Sequence, residues 1–171
     1  IEFKDVSFTY TGDKEALENV SLKIKAGELV AIMGRNGSGK TTLVRHVIGL
    51  HQPSNGQVLV TGKDVASTPT HVLAKDVGFC FQNPNHQIVS FTVREEMSFG
   101  LKAHNVDPAE FEERIHESLE IVDLCDKIDS EVFDLGKGQK QRLALASVLT
   151  LKPKILIIDE PTTGQDPEMI D

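Results

Sequence analysis

Apolar side chains at Ile1, Phe3, Val6, Phe8 and Tyr10 mostly alternate with polar ones, and the same pattern returns at Val20, Leu22 and Ile24 before an Ala26-Gly27 turn. Successive side chains of a strand point to opposite faces, so this period predicts half-exposed antiparallel strands. Leu29 to Met33 is instead a continuous apolar run, which predicts a strand covered on both faces. It leads straight into a glycine-rich stretch, after which a helix is expected from about Lys40 to Gly49. Beyond the Pro53-Ser54-Asn55-Gly56 turn, Val58 and Val60 predict a strand ending at Gly62, and Val77 to Phe81 predict one more.

The middle of the chain changes period. Asp107-Pro108-Ala109-Glu110 combines an N-cap, a proline at the first helical position and an acid at the third, and Phe111, Ile115, Leu119 and Val122 follow at helical spacing. A further helix is expected from near Gly138 to Leu151, ending before Pro153. Ile155 to Ile158 is expected as a short, fully apolar, buried strand that runs into Asp159-Glu160. The pattern predicts an α/β core, a β-rich N-terminal part and a helical insertion over about residues 83–150.

Composition narrows the class. With 171 residues, 39% hydrophobic and 26% charged, the chain suffices for one well-buried domain, and no second is expected. A formal charge of -8 argues against a nucleic-acid backbone as the main partner, because such binding relies on clustered Lys and Arg. No stretch approaches the roughly 18 consecutive apolar residues of a spanning helix, and no charged-then-apolar leader is visible, so the expectation is a soluble, cytosolic chain. Cys80 and Cys125 have no paired spacing and are expected as reduced core residues. The six histidines show no ligand spacing, and most are expected at the surface or in a second layer. The chain opens at Ile1 inside an alternating pattern and stops at Asp171 soon after an acidic motif, so it reads as a fragment.

The chemistry concentrates in two places. Gly34-Arg35-Asn36-Gly37-Ser38-Gly39-Lys40-Thr41 fits G-x-x-x-x-G-K-[ST] between an expected strand and an expected helix. Glycines let the backbone turn tightly enough to aim several N–H groups at one phosphate, and the helix N-terminus adds its partial positive charge. Lys40 then reaches the β- and γ-phosphates of ATP, the Thr41 hydroxyl is placed for Mg²⁺, and Thr42 supports through the α-phosphate. At the end of the later apolar strand, Asp159 is the candidate metal residue and Glu160 the candidate general base.

Three segments together carry a family resemblance: the loop from Gly34 with its Thr41-Thr42 extension, Leu135-Gly136-Lys137-Gly138-Gln139-Lys140-Gln141-Arg142, and Asp159-Glu160-Pro161-Thr162-Thr163-Gly164-Gln165-Asp166-Pro167. In order and spacing the chain resembles the nucleotide-binding subunit of an ABC transporter, over essentially its whole length. Phe81-Gln82-Asn83-Pro84-Asn85-His86-Gln87-Ile88-Val89, with Thr92 to Glu96 and Phe99-Gly100, is similar to the ATPases of energy-coupling factor importers, which take up vitamins or cobalt and nickel ions.

The resemblance implies a P-loop NTPase with a RecA-like core, an antiparallel β subdomain and an inserted helical subdomain, with the C-terminal part of the core missing. It divides the single, partial domain 1–171 into 1–82 (β subdomain and phosphate loop), 83–150 (helical subdomain and signature loop) and 151–171 (acidic strand and D-loop). It further implies that Tyr10, the one tyrosine, stacks on adenine, and that Gln82 touches Mg²⁺ or the attacking water and links to a membrane subunit. Leu135 to Gln139 would cap ATP held by a second cassette, identical or paralogous, and Asp166 would cross toward the opposite site. Integral-membrane subunits would hold the pair at the inner face of the cell membrane, without insertion of this chain.

Two departures qualify that picture. The family signature reads Leu-Ser-Gly-Gly-Gln, whereas Gly136 and Lys137 replace its serine and first glycine, removing a hydroxyl donor to the partner's γ-phosphate and adding a cation. The composite site capped by this chain is therefore expected to be impaired. The family's switch histidine, about 30 residues beyond the acidic motif by the resemblance, has no counterpart before Asp171. The alternatives are an ABC-type ATPase acting on nucleic acid or the ribosome, for which no coiled-coil insertion or zinc module is visible, and a weakly catalytic nucleotide-sensing cassette. A GTPase reading of Asp126-Lys127-Ile128-Asp129 has the wrong first residue and precedes the acidic strand instead of following it.

Overall fold

The alternation at the start of the chain becomes a four-stranded antiparallel sheet in the computed structural model, which describes residues 1–11 and 15–159. Its strands are β1 (Glu2–Thr9), β2 (Glu15–Lys23), β3 (Asn55–Val60) and β4 (Lys63–Asp64), in the order β2-β1-β3-β4. In the ladders Phe3 lies opposite both Leu22 and Val58, and Val6 opposite Val20. Phe3, Val6, Leu17, Val58 and Val60 are buried while Lys4, Asp5, Glu18 and Asn19 are exposed, which is the predicted two-faced character. Helix α1 (Lys40–Val47) packs on β2 and β3 and buries Leu43, His46 and Val47. The four-residue helix α2 (Thr70–Leu73) contributes Leu73 to the same core.

The described residues belong to two units, Ile1–Val77 and Gly78–Asp171. Strands β5 (Val77–Cys80), which lies in the second unit from Gly78 on, and β6 (Ile155–Ile158) form a two-stranded sheet, and the Asp159 amide continues it by donating to the Cys80 carbonyl at 3.1 Å. Helices α3 (Val93–Ala103), α4 (Phe111–Ile121) and α5 (Lys137–Leu149) pack together. Val93, Met97 and Leu101 from α3 meet Ile115 and Leu119 from α4 and Leu143 and Ala146 from α5, with Leu124, Val132 and Leu135 closing the cluster. The i, i+4 spacing places each helix's apolar residues on one face, and each fully buried Leu or Ile contributes about 1.5–3 kcal/mol.

The Asp107 cap forms as predicted, its carboxylate accepting from the Ala109 amide at 2.9 Å, but the first turn, Pro108–Glu110, is 3₁₀ and α4 proper starts at Phe111. Helix α3 was not predicted, although Thr92-x-x-Glu95 is a capping box: the Glu95 amide donates to Thr92 Oγ1 at 3.2 Å and the Thr92 amide to Glu95 Oε2 at 3.2 Å.

Three expectations are corrected. Leu29 to Met33 is not a strand. Leu29 and Met33 are 101% and 88% exposed, because no strand among the described residues pairs with the run and an apolar segment without a ladder partner has nothing to bury against. Strand β6 forms over the expected residues but is not buried, since Leu156 and Ile158 are exposed. Of the cysteines, Cys80 is buried, with burial pushing its thiol up to about 12, but Cys125 is only half-buried. Among the histidines, His46 is wholly buried in α1.

Candidate functional site

The glycine-rich segment forms a tight loop that ends on α1. The Ser38 amide donates to the Arg35 carbonyl at 3.1 Å, and Lys40, the first residue of α1, bends its Nζ back to the Gly34 and Arg35 carbonyls at 3.0 and 3.1 Å. The ammonium thus lies over the loop backbone. Gly39 precedes the helix at φ +88°, where a Cβ would come within 2.6 Å of the Ala16 carbonyl oxygen and 3.1 Å of Leu17 Cδ2. At Gly34 an added Cβ would crowd Ser38 Oγ at 2.7 Å, so a side chain here would intrude on the loop. No side chain caps α1 and no acid stands in its first turn, so its N-terminal dipole faces the loop without a competing carboxylate. Asn36, Gly37 and Ser38 are exposed at the tip, and Thr41 is half-buried behind Lys40.

These features fit a nucleotide's phosphates: a cation, a helix N-terminus and a backbone bare of Cβ atoms where an anion must approach.

Tyr10 is in the same unit, just past β1. Its phenol oxygen is 3.0 Å from Thr42 Oγ1 in the first turn of α1 and 3.3 Å from His51 Nε2. Phe8 stands beneath these groups: Tyr10 meets it edge-on at 4.9 Å, His51 stacks on it at 4.9 Å and 27°, and His46 meets it edge-on at 4.9 Å. His46 Nδ1 hydrogen-bonds the Thr42 carbonyl oxygen at 2.8 Å, one helical turn back. A carbonyl only accepts, so Nδ1 carries the proton. Burial lowers the proton affinity of both imidazoles, His51 also lying near the Arg45 charge. Neither histidine was singled out from the sequence, although His46 stands four residues after Thr42, on the same helix face.

The second unit holds the remaining candidates. Gln82 is exposed just after β5. The segment following it is fastened by two residues that were not foreseen as functional. Gln87 accepts from the Phe81 amide at 3.2 Å through Oε1 and donates to the Ala144 carbonyl of α5 at 2.6 Å through Nε2. Glu96, 4% exposed, accepts from the Val89 and Ser90 amides, both at 3.0 Å. Such side-chain ties to backbone carry no periodic sequence signal.

Leu135 is buried in the helical core while Gly136 and Lys137 are exposed. Gly136 caps α5 in an extended conformation, φ −64° and ψ 164°, and its amide donates to Gln139 Oε1 at 3.0 Å. A Cβ at Gly136 would find its nearest neighbour, Gln139 Oε1, at 3.7 Å, and one at Gly138 would meet nothing within 4 Å. Asp159 follows β6 and is half-buried. Glu160 and Asp166 lie outside the described residues. Tyr10, Thr42 and the phosphate loop are therefore in the first unit, and Gln82, Leu135 to Gln139 and Asp159 in the second.

Comparison with known proteins converges on one family. The model of the family described as "ABC transporter" matches residues 17–163. The energy-coupling factor transporter ATP-binding protein EcfA1 of Staphylococcus epidermidis is 43% identical over 168 residues, covering 98% of this chain and 62% of that protein. The solved structure of cbiO1 from Clostridium perfringens, described as part of the ABC transporter complex cbiONQ, superposes with a TM-score of 0.89 at 34% identity, over 98% of this chain and 67% of that one. An ATP-binding cassette solved as a dimer in a post-hydrolysis state with ADP and Pi gives a TM-score of 0.85 at 32% identity, over 98% and 76%. The chain spans 26–29% of the length of several curated putative ABC transporter ATP-binding proteins that it matches.

Proposed function

The chain belongs to the ABC transporter family, and on that premise we propose that it is the ATP-binding and ATP-hydrolysing part of an energy-coupling factor type importer. The observation that carries this reading is the phosphate loop: Lys40 Nζ lies over the Gly34 and Arg35 carbonyls at an uncapped helix start. The kinship to EcfA1 and cbiO1 supports the importer subclass. In this reading two cassettes, identical or paralogous, work as a pair on integral-membrane subunits at the inner face of the membrane. No helix among the described residues is long and apolar enough to cross a membrane.

Each residue then has a role. The loop amides of Asn36 to Thr41 and the Lys40 ammonium bind and orient the phosphates, with Thr42 supporting from the helix. Thr41 would offer a hydroxyl, Gln82 an amide and Asp159 a carboxylate oxygen to Mg²⁺, each a ligand type suited to a hard cation. When bound, Mg²⁺ would supply positive charge against that of the phosphates. Glu160 takes a proton from the attacking water, and Tyr10 offers its ring to adenine. Leu135 to Gln139 face a partner cassette's nucleotide, with Asp166 reaching across.

ATP binding and hydrolysis by the intact protein test this assignment. Lys40→Ala is expected to weaken ATP binding at least tenfold, and Glu160→Gln to keep binding while turnover falls by about 100-fold or more, within the range for a general base. Turnover unchanged by Glu160→Gln would sink the assignment of the base.

One observation favours a weaker variant of the same function. Gly136 has no hydroxyl, and its backbone would accommodate a serine without strain. The composite site capped by this chain then hydrolyses slowly, and the cassette acts more as a nucleotide sensor.

A further inference from the structure

Tyr10 is held by more than its place at the end of a strand. Its ring is edge-on to Phe8, and its hydroxyl lies between Thr42 Oγ1 and His51 Nε2. His51 in turn stacks on Phe8 and meets the Tyr10 ring edge-on at 5.5 Å, so the imidazole touches both the ring and its oxygen. A phenol oxygen donates once and accepts from other donors. It therefore donates to one of Thr42 Oγ1 and His51 Nε2 and accepts from the other, so both neighbours engage the same oxygen.

The floor of this arrangement is rigid. Thr42 is buried in α1, and His46 Nδ1 binds its carbonyl. Tyr10 itself is 42% exposed. Without the two contacts at its hydroxyl, an aromatic side chain so exposed would sample several rotamers, and ordering it would be charged against ligand binding.

We propose that His51 is a positioning residue for the nucleotide base: through the Tyr10 hydroxyl it fixes the aromatic ring that receives the base, tying that ring to the first turn of the phosphate-binding helix. This rests on the nucleotide reading above and adds to it a residue outside the phosphate loop. It concerns the base end of the ligand, because removing His51 leaves the loop and α1 in place.

The test measures affinities of the intact protein for ATP and for inorganic triphosphate, which lacks base and sugar. His51→Ala is expected to weaken ATP binding about fivefold, the value of one hydrogen bond of about 1 kcal/mol, while triphosphate affinity stays within about twofold. His51→Gln, whose amide can donate or accept without an imidazole, restores most of the loss. Tyr10→Phe, which also gives up the Thr42 contact, gives a loss at least as large, and the His51→Ala/Tyr10→Phe double variant binds ATP no more weakly than Tyr10→Phe alone, because the link to His51 is already gone. Equal losses for ATP and triphosphate, additive losses, or unchanged ATP affinity in His51→Ala each overturn the proposal. Failure of the nucleotide reading would look different: the unaltered protein would bind ATP no better than Lys40→Ala.

Discussion

Two glycines two residues apart in the phosphate loop are under different constraints. Gly39 and Gly37 both have positive φ, +88° and +79°, but a Cβ at Gly39 would run into the Ala16 carbonyl whereas one at Gly37 meets nothing within 4 Å. Gly39→Ala is therefore expected to cost about 2–4 kcal/mol, backbone strain plus a clash against main chain, and Gly37→Ala about 1 kcal/mol from strain alone. Denaturant melts of the two variants check the ordering, and equal losses would contradict it. Gly136 has the opposite character, since its backbone is extended and has room for a side chain. Gly136→Ser should change stability by only a few tenths of a kcal/mol, the difference between serine and glycine as N-caps. Gly136→Ser/Lys137→Gly should nonetheless raise ATPase turnover, because it restores the hydroxyl and removes the cation. Unchanged turnover in a protein that pairs with itself would show that the altered signature does not limit hydrolysis.

At the scale of elements, the legible parts of the chain were those whose partners are local or whose pattern is strictly periodic. Strands β1, β2 and β3 alternate, and α4 announces itself with Asp107-Pro108 and four apolar residues on one face. Leu29 to Met33 shows the limit: an apolar run reports what a segment needs, and only a neighbouring ladder makes it a strand. Helix α3 shows another, because Ser98 and Gly100 dilute its apolar face while Glu96 is turned inward to hold the Val89 and Ser90 amides. A buried carboxylate of this kind reads as a surface residue in the sequence. Within α1, His46 makes the first unit sensitive to acid. Burial lowers its proton affinity below the ordinary imidazole value of 6.5, so the unfolded chain binds the proton more readily than the folded one. Stability from this group is fully present above about pH 6.5 and is lost as pH falls through the folded value; His51, shifted the same way, adds to the trend. Melts between pH 7.5 and 5 should decline over that window, and NMR titration should find the His46 ring neutral below the ordinary range. A ring that titrates at 6.5 or higher would refute the assignment.

For the whole molecule, the glycine-rich loop stands out as a motif because its eight residues are contiguous, whereas the supports of the candidate sites come from residues far apart in sequence. Tyr10 and His51 are one example, and Gln87 with Ala144 another. The same holds for an exposed aromatic pair in the second unit. In the second unit Phe91 and Phe133 are 73% and 71% exposed with ring centroids 6.4 Å apart, held together by the Val132 amide donating to the Phe91 carbonyl at 2.8 Å. Val89 is exposed beside Ser90, and Glu96 fixes the backbone of both. Single exposed apolar residues are ordinary, but two aromatic rings paired on a fixed backbone make a rigid apolar anchor suited to an interface. If the chain drives a membrane importer, this anchor is where a hydrophobic segment of a membrane subunit gains the most from docking. Phe91→Ser/Phe133→Ser should then leave ATP affinity within about twofold while weakening co-purification with the membrane subunits by tenfold or more, the loss expected of removing two hot-spot aromatics. Retained assembly would move the docking surface elsewhere on the cassette. A parallel loss of ATP affinity would instead show that the two rings serve the folding of the helical core and not its partner.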